Sequence, residues 1–317
     1  MFGKKGLLKD LGILGMNRRN GDYILRNNRR QFYPLVDDKL KTKEILETRQ
    51  LPTPELYFSI SGNFELRCLR ELKFLREFVV KPARGAEGRG ILVIVDKQER
   101  NWRKASGEII TTDDLEYHVA NILAGLFSLG GSDDRAIIEY RVRSHTAFRK
   151  IAYQGVPDVR VILYRGVPVM SMLRLPTKES DGKANLHQGA MGTGVDMLKG
   201  VTIGGVHHNE LVDIHPDTQT PVAGFTIPFW ETILEISSKV YDVFKLGYMG
   251  IDIVIDQLLG PLILELNARP GLTIQLANRA GLLPRLEAVD RHGADVEKRT
   301  PAERLLLSRQ ILLSLQA

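Results

Sequence analysis

The spacing of hydrophobic and polar positions changes repeatedly along the chain after residue 50. Short apolar runs, some alternating with polar residues, are typical of β-strands, and longer segments with apolar residues three or four apart are typical of amphipathic helices. The pattern predicts strands near 77–81, 90–95, 136–140, 159–164, 167–174, 250–256 and 261–267. It predicts helices at 39–49, 113–129, 229–245 and 301–316. Because the strands come in adjacent pairs, we expect an α+β fold with hairpins rather than a doubly wound sheet.

The last two predicted strands carry polar residues on one face. Asp252 lies in the first, Glu265 and Asn267 lie in the second, and "QLLGP" between them has the length and composition of a hairpin turn. If the strands pair antiparallel with facing residue numbers that sum to about 519, Asp252 lies opposite Asn267 and next to Glu265. Carboxylate and amide oxygens suit a hard cation such as Mg²⁺. The pattern therefore predicts a metal site, and the alternative is an acidic strand pair that faces solvent.

A glycine-rich loop, "KPARGAEGRG", joins two predicted strands and contains Gly85, Gly88 and Gly90 after Lys81. Glycines let backbone N–H groups turn toward an anion, and the lysine adds a positive charge. A Walker loop or a dinucleotide fingerprint would open a helix, so the GxxGxG spacing between two strands excludes both. Glycine-rich hairpins alone are common, but together with the oxygen-rich strand pair this loop predicts a nucleotide site.

Composition limits the class of protein. The chain has 317 residues, of which 43% are hydrophobic, enough for a core divided into two or three subdomains. No apolar run approaches the ~20 residues of a membrane-spanning helix, and Lys9 and Asp10 interrupt the candidate signal region, so we expect neither a span nor a cleaved signal. The single cysteine, Cys68, cannot form an internal disulfide, and no cysteine pair has zinc-site spacing. A cytoplasmic protein is expected.

The positive charge is concentrated at the N-terminus. The net charge is +6, and residues 1–50 hold 12 Lys or Arg against 6 Asp or Glu, so the rest of the chain is balanced. Arg18, Arg19, Arg29 and Arg30 could therefore bind an acidic acceptor or partner, such as nucleic acid, an anionic membrane surface or an acidic protein. The alternative is a solvated basic face. The first 16 residues could form an amphipathic helix that lies on a membrane or a partner, or an ordinary packing helix.

Seven motifs in order resemble an ATP-grasp ligase: "VDDKLKTKEIL", "VVKPARGAEGRGI", "AIIEYRV", "PDVRVILYRGVPVMSMLR", "GKANLHQG", "GIDIV" and "LELNARPGL". The chain is most similar to the α-L-glutamate ligase type and to the ATP-grasp proteins associated with sugar-transfer gene sets. The resemblance implies an α+β ATP-grasp fold in which two lobes clamp ATP, with a reduced N-terminal domain. The implied domains are a basic arm (1–37), a small lobe with a glycine-rich lid (38–136), a large lobe with the metal site (137–285) and a C-terminal helical segment (286–317).

The resemblance also implies roles for individual residues. Lys81 and Arg174 would be catalytic, the arginine by neutralising a developing acyl phosphate. The implied nucleotide-binding residues are Lys39, Lys81, Gly85, Gly88, Gly90, Glu139, Tyr140, Val142, Asp158, Lys183 and Asn185. The implied metal ligands are Asp252, Glu265 and Asn267. We interpret His187 as structural. His207 and His208 lie in an inserted stretch that we expect to shape the acceptor pocket, with metal binding by the pair as the less favoured alternative.

The activity implied by the resemblance is that of an ATP-dependent carboxylate–amine ligase, which forms ADP and an amide through an acyl phosphate. The cofactors would be ATP and Mg²⁺, with Mn²⁺ as an alternative. The substrates would be a carboxylate, such as glutamate or another amino acid, and an amine acceptor that is a small molecule or a peptide. Two alternatives stay open: a kinase on the same scaffold, and a nucleotide-binding partner protein without catalysis. The "DVRV" and "NLH" segments favour the ligase.

Overall fold

The computed structural model describes residues 11–85, 88–99, 101–128 and 131–316. Of these, residues 11–37, 49–52 and 143–316 form a first compact unit, and residues 38–48 and 53–142 form a second unit. Each unit contains one antiparallel sheet together with helices. The α+β class predicted from the hydrophobic pattern is therefore confirmed. No helix within the described residues is both long and apolar enough to cross a bilayer.

The second unit is built on a six-stranded sheet with the strand order β1-β6-β2-β3-β4-β5. The strands are β1 (Leu56–Ile60), β2 (Phe78–Pro82), β3 (Leu92–Gln98), β4 (Asn101–Lys104), β5 (Ile109–Ile110) and β6 (Ala136–Glu139). The helices are α1 (Lys39–Thr48) and α2 (Thr112–Leu123), and a 3₁₀ segment covers Asn63–Phe74. Strand β6 pairs with β1 and β2, so it belongs to this unit, whereas the sequence interpretation placed residues from 137 onward in the other lobe.

Helix α2 buries Leu115, Val119 and Ile122 against this sheet, and their spacing places them on one helix face. The helix ends at Leu123, earlier than the predicted residue 129. Gly125 explains the early end because it has a φ of 75°, outside the right-handed helical region. A Cβ atom at Gly125 would also lie 2.3 Å from the Ser132 carbonyl oxygen, so only glycine fits this turn.

The first unit is built on a seven-stranded sheet with the strand order β11-β10-β9-β8-β7-β12-β13. The strands are β7 (Asp158–Tyr164), β8 (Val167–Leu175), β9 (Met191–Asp196), β10 (Val201–His207), β11 (Glu210–Val212), β12 (Tyr248–Asp256) and β13 (Gly260–Asn267). The helices are α3 (Trp230–Phe244), α4 (Thr273–Ala277), α5 (Leu283–Asp290) and α6 (Pro301–Ser314), with 3₁₀ segments at Thr146–Lys150, Leu186–Gln188 and Ala294–Lys298. Helix α6 begins with a capping box between Thr300 and Glu303.

The N-terminal arm packs against the sheet of the first unit. It is α-helical at Met16–Arg18 and Leu25–Asn27 and π-helical between them at Arg19–Ile24, and it continues with a 3₁₀ turn at Arg30–Phe32 and a helical turn at Pro34–Asp37. Leu14, Tyr23 and Ile24 join the core of that unit. The buried Asn28 side chain accepts a hydrogen bond from the Tyr248 N–H (2.8 Å) and donates one to the Tyr248 carbonyl (2.7 Å). The arm is thus docked from Leu14 onward, and residues 1–10, which belong to the predicted amphipathic helix, lie outside the described residues.

The hairpin of β12 and β13 has a different register from the one predicted. Asp252 lies opposite Glu265, and Gly250, not Asp252, lies opposite Asn267. The predicted pairing of Asp252 with Asn267 is therefore wrong. The cause is the turn: the Asp256 carboxylate accepts hydrogen bonds from the N–H groups of the second and third residues after it (2.8 and 2.9 Å), which reverses the chain earlier than predicted. A β-bulge beyond Asp252 then shifts the pairing by one residue.

Candidate functional site

Four charged side chains lie on one face of the first unit's sheet. Asp158 on β7 pairs with Arg174 on β8, and Arg160 on β7 pairs with Asp252 on β12. Asp158 and Arg160 are two residues apart on one strand, so their side chains point to the same face. We call these four residues the charge network. All four side chains are at most 12% exposed.

The charge network is continuous because opposite charges alternate along it. The Arg160 guanidinium donates to both Asp252 oxygens, from Nε to Oδ1 (2.7 Å) and from Nη2 to Oδ2 (2.6 Å). Arg174 Nη2 donates to Asp252 Oδ2 (2.6 Å) and to Asp158 Oδ2 (2.7 Å). Each buried carboxylate therefore faces at least one guanidinium, which offsets part of the cost of taking these charges out of water.

The two carboxylates of the charge network titrate differently. Burial raises the pKa of Asp158 to about 7, with a further contribution from the negative charge of Asp252, although Arg174 opposes the shift. Burial alone would also raise the pKa of Asp252, but the positive charges of Arg160 and Arg174 outweigh burial and hold this pKa at about 2. Burial also disfavours the charged form of Arg174, yet the two aspartates raise its pKa above the ordinary value. The surroundings therefore shift the pKa values of the two carboxylates in opposite directions.

The predicted metal ligands lie at the edge of this network. Glu265 is the cross-strand neighbour of Asp252, and Asn267 Oδ1 accepts a hydrogen bond from the Arg269 N–H (3.0 Å). A carboxylate has about four lone-pair sites. The arginines donate two hydrogen bonds to Asp252 Oδ2 and one to Oδ1, so a lone pair stays available on Oδ1. The set offers hard oxygen donors, and its chemistry fits Mg²⁺.

Arg160 was not among the residues selected from the sequence. The available signal was its position two residues after Asp158 on a strand, which places both on one sheet face. A charged residue in an alternating strand is usually assigned to the solvent side. Only the cross-strand partner, Asp252, shows that this face is buried and that Arg160 orients the carboxylate.

A second buried charge cluster lies in the second unit, and we call it the lysine triad. Lys81 Nζ lies 2.6 Å from Glu139 Oε1, and Lys43 Nζ lies 2.9 Å from Glu139 Oε2. All three side chains are at most 8% exposed. The triad carries two positive charges and one negative charge. Lys43, one helical turn after Lys39 on α1, was not selected from the sequence.

The pKa values of Lys43 and Glu139 follow from burial and charge. Burial lowers the pKa of Lys43, and the neighbouring positive charge of Lys81 lowers it further, while Glu139 opposes both effects. Burial alone would raise the pKa of Glu139, but Lys81 and Lys43 outweigh it and lower that pKa. The Glu139 side chain is therefore an ionised partner of two lysines. If this position contacts a nucleotide base, as the resemblance implies, we expect the contact through the backbone.

The base of the glycine-rich loop is fixed within the second unit. Lys39 Nζ donates to the Gly85 carbonyl oxygen (2.6 Å). The buried Asp134, which sequence reasoning missed, accepts hydrogen bonds from the Arg84 N–H (3.0 Å) and from Ser128 Oγ (2.6 Å). The tip of the predicted lid, residues 86 and 87, lies outside the described residues.

Two loop glycines have backbone conformations that suit glycine. Gly88 and Gly90 have φ values of 73° and 74°, in the left-handed region where side chains are strained. A Cβ atom on Gly90 would also lie 2.6 Å from the Phe127 ring. The backbone conformation at these two positions therefore favours glycine whether or not a ligand binds to the loop.

The remaining predicted nucleotide contacts are distributed over both units. In the second unit, the Tyr140 N–H donates to the Glu55 carbonyl oxygen (2.8 Å), and Val142 is half-buried. In the first unit, Lys183 is exposed in a turn. Asn185 Oδ1 caps the following 3₁₀ segment by accepting the His187 N–H (3.0 Å). Their nucleotide-binding roles stay predictions.

The two neighbouring histidines lie at the β10–β11 hairpin beside Glu179. Among the residues that the structure describes, Glu179, His207 and His208 are the one set of three His, Cys, Asp or Glu residues whose possible ligand atoms lie within 4.8 Å of one another. However, His207 Nε2 lies 3.0 Å from the Gly189 carbonyl oxygen, a contact that requires a proton on that nitrogen. A protonated ring nitrogen cannot ligate a metal. This geometry favours a hydrogen-bonded cluster.

Comparisons with solved structures give similarities at low sequence identity. D-alanine–D-alanine ligase from Bacillus anthracis in complex with ATP has a TM-score of 0.46 and 16% identity, over 99% of this chain and 76% of that one. D-cycloserine synthetase DcsG has a TM-score of 0.46 and 14% identity, over 82% and 71%. The ATP-grasp ligase PsnB with its minimal precursor has a TM-score of 0.44 and 12% identity, over 92% and 63%. No curated protein sequence matches the chain.

A family comparison identifies the chain. Residues 18–291 match the family described as sugar-transfer associated ATP-grasp. The match begins within the docked N-terminal arm and includes both the charge network and the lysine triad. Because it covers well over half of the 317 residues, this chain belongs to the sugar-transfer associated ATP-grasp family.

Proposed function

We propose that this chain is an ATP-dependent carboxylate–amine ligase that forms an amide, ADP and phosphate. The observation that carries the proposal is the buried charge network beside Glu265 in a chain of the ATP-grasp family. Replacing buried ion pairs by well-packed apolar residues is often neutral or stabilising, so fold stability alone does not account for four buried charges. Strongly perturbed pKa values, such as those of Asp158 and Asp252, are typical of functional sites.

The proposed reaction has two steps. A carboxylate is a poor electrophile, so the terminal phosphoryl group of ATP is first transferred to one of its oxygens, which releases ADP and leaves an acyl phosphate. The amine of the acceptor then attacks the acyl carbon, loses a proton and displaces inorganic phosphate. Neither step needs a nucleophile from the protein, and most of the rate enhancement comes from positioning and electrostatics.

In this proposal, Arg174 contacts the oxygens of the transferring phosphoryl group. Its guanidinium is held by Asp158 and Asp252, so it does not need to reorganise as negative charge develops. Arg160 is a positioning residue because it fixes both oxygens of Asp252. Asp252, Glu265 and Asn267 would hold Mg²⁺, with Mn²⁺ as an alternative, and the bound ion would neutralise charge on the phosphate oxygens.

The residues of the second unit contribute positive charge and backbone N–H groups. We propose that Lys39, Lys81 and the glycine-rich loop contact the ATP phosphates. Glu139 offsets one of the two lysine charges in the triad, so a single positive charge is left for an anion. Lys43 holds Glu139 from the other side and acts as a positioning residue. A cytoplasmic reaction agrees with the use of ATP and with the single cysteine.

The test combines turnover with product mass. The full chain is incubated with ATP, Mg²⁺ and pools of amino acids and small carboxylic acids, and ADP release is followed by mass spectrometry of new products. We expect a product whose mass equals the sum of two substrates minus water, and we expect none with Arg174→Gln. A product that gains one phosphate would show a kinase instead. Nucleotide binding without ADP release under any pool would show a non-catalytic partner protein.

A further inference from the structure

The N-terminal arm and the turn after β13 together line a cavity of about 380 Å³ within the first unit. Three of its lining residues are arginines, Arg19 and Arg30 from the arm and Arg269 from the turn. Ile24 and Leu25 give it an apolar side, with Tyr33 next to them. Ligand pockets in proteins usually have volumes of ~300–1,000 Å³. The cavity therefore has room for a small organic group but not for a large one.

The three arginines have no carboxylate partner among the described residues. Arg19 donates to Asn20 Oδ1 from Nε (3.0 Å) and Nη2 (2.8 Å) and to the Pro270 carbonyl from Nη1 (2.9 Å). The Arg269 guanidinium stacks 4.8 Å from the centre of the Tyr33 ring. In contrast, the adjacent Arg18 is paired with Glu287 (2.9 Å) and Asp22 (3.5 Å). The positive charge that lines the cavity is thus uncompensated, whereas the charge next to it is neutralised.

Two of the three arginines, Arg19 and Arg269, are held in place by the local fold. Asn28 and Tyr23 anchor the arm, because Asn28 bonds to the Tyr248 backbone and the Tyr23 ring packs edge-on against Tyr164 at 5.3 Å. A π-helical stretch covers Arg19–Ile24, and π-helical turns occur frequently at functional sites. The bond from Arg19 to Pro270 ties the arm to the turn that carries Arg269. The part of the positive lining that comes from Arg19 and Arg269 is therefore preorganised.

One residue of the cavity lining lies in the turn that directly follows two of the candidate metal ligands. Arg269 follows Asn267 by two residues, and its N–H donates to Asn267 Oδ1 (3.0 Å). A ligand held by Arg269 would consequently lie at the carboxyl end of β13, where the proposed reaction takes place. This position suits a substrate rather than a distant effector.

We propose that this cavity binds an anionic group, a carboxylate or a phosphate, of the acceptor substrate. The identification of the ligand as the acceptor substrate rests on the proposed ligase function. The binding of an anion in this cavity does not depend on that function. Guanidinium groups are suited to both anions because their planar N–H donors match the two or three oxygens. The four arginines expected from the sequence are thus sorted by the structure: Arg19 and Arg30 line the site with Arg269, while Arg18 is ion-paired and Arg29 lies outside the cavity lining.

Calorimetry on the full chain tests the anion site with inorganic phosphate and with glutarate, at a constant low ionic strength. Arg30→Gln and Arg269→Gln should each weaken binding by about tenfold or more. The matched control is Arg29→Gln, which makes the same charge change at the neighbouring exposed position and should change binding by less than about twofold. The tighter of the two probes identifies the anion as phosphate or carboxylate. Thermal unfolding of each variant checks that the fold is retained.

Each titration is repeated with a non-hydrolysable ATP analogue and Mg²⁺ at saturation. Probe binding that survives the analogue and is lost in Arg30→Gln and Arg269→Gln supports the proposal. Equal weakening of probe binding by Arg29→Gln would show a diffuse basic surface. Displacement of the probe by the analogue would show that the probe binds in the nucleotide site. Either of these results, or the absence of binding by both probes, overturns the proposal. Failure of the ligase function has a different signature, because probe binding would persist in a protein that releases no ADP.

Discussion

The charge network of the first unit and the lysine triad of the second unit are both buried clusters of paired charges, but the excess charge is negative at the first and positive at the second. Both bury ionised side chains that would be costly to desolvate alone, and both offset that cost by close pairing. In the network, two aspartates and two arginines cancel above about pH 7, where Asp158 is ionised, and Glu265 adds a negative charge beside them. In the triad, two lysines surround one glutamate and leave a positive charge.

This difference indicates what each cluster can bind. A carboxylate-rich edge attracts a cation, and a lysine-rich centre attracts an anion. Neither cluster would attract a ligand strongly if its charges cancelled completely. The comparison therefore links the surplus charge of each unit to its proposed ligand, Mg²⁺ for the first and phosphate for the second. Variants that remove the excess charge of a cluster should then change activity or ligand binding, whereas variants that break its ion pairs should change stability.

The largest effect is expected from removing the surplus charge of the first unit. Glu265→Gln keeps the shape of the side chain but removes its charge, so Mg²⁺-dependent turnover should fall by about 1,000-fold or more, the size of several kcal/mol of transition-state stabilisation. ADP release at saturating Mg²⁺ measures this loss. Glu210→Gln, at an exposed position on β11 of the same sheet, is the control and should retain activity. Near-normal turnover in Glu265→Gln would contradict the metal site.

Breaking the pairing should instead change stability, and more in the network than in the triad. Arg174→Met leaves two buried carboxylates with Arg160 alone, so the free energy of unfolding should fall by about 3–5 kcal/mol. Lys43→Met leaves Lys81 and Glu139 as a pair with no net charge. The free energy of unfolding should therefore fall by no more than about 2 kcal/mol, mainly because hydrogen bonds of Lys43 are lost. Urea unfolding of both variants gives the comparison. Equal losses would mean that the charge balance of each cluster does not control its stability.

Much of the fold follows from the hydrophobic pattern, and one strand that was missed shows why the pattern fails where glycines are frequent. Strands β7, β8 and β12 are mostly apolar despite the charged residues that they carry, and they were predicted within two residues. Strand β9 was missed because glycines such as Gly194 weaken the strand pattern. A Cβ atom at Gly194 would lie 2.4 Å from the Ala277 carbonyl oxygen, so the glycine serves the packing of α4 on the sheet. That contact cannot be recognised from the sequence alone.

The candidate site was predicted only in part, because the missing part depends on contacts between residues that are distant in the sequence. Asp252 and Glu265 were identified from strand alternation, but their direct pairing depends on the side-chain hydrogen bonds of Asp256 in the turn. Arg160 and Lys43 were missed because a single charged residue on a strand or helix gives no sign that it is buried. Their function becomes visible only when a partner from a different element lies within hydrogen-bond distance.

A smaller effect is expected when the surplus charge of the second unit is removed. Lys81→Met keeps most of the aliphatic stem but removes the charge that we assign to the ATP phosphates, so ATP affinity should weaken by about 1–3 kcal/mol. Calorimetric titration with ATP measures the change. Lys73→Met, at an exposed position of the same unit, is the control and should leave the affinity unchanged. Unchanged binding by Lys81→Met would mean that this lysine serves only its ion pair with Glu139.

The smallest effect, and the one most specific to the charge network, is a dependence of stability on pH. The pKa of Asp158 is raised by burial to about 7 in the folded protein, from an ordinary value of 3.8. The folded state therefore binds more protons than the unfolded state between these values, so the contribution of Asp158 to stability is present below about pH 4 and is lost as the pH rises toward 7. The lowered pKa of Asp252 acts in the opposite direction and only below about pH 4.

Asp158→Asn tests this difference because it cannot titrate. Urea unfolding at several pH values from 4 to 7 should show that the wild-type protein loses stability relative to Asp158→Asn as the pH rises, because the variant lacks the group whose ionisation is disfavoured in the folded state. Asp217→Asn, which changes an exposed aspartate of the same unit, should follow the wild-type curve throughout this range. If the wild-type protein instead gains stability over Asp158→Asn between pH 4 and 7, Arg174 outweighs burial at Asp158, and the network holds two full negative charges at neutral pH.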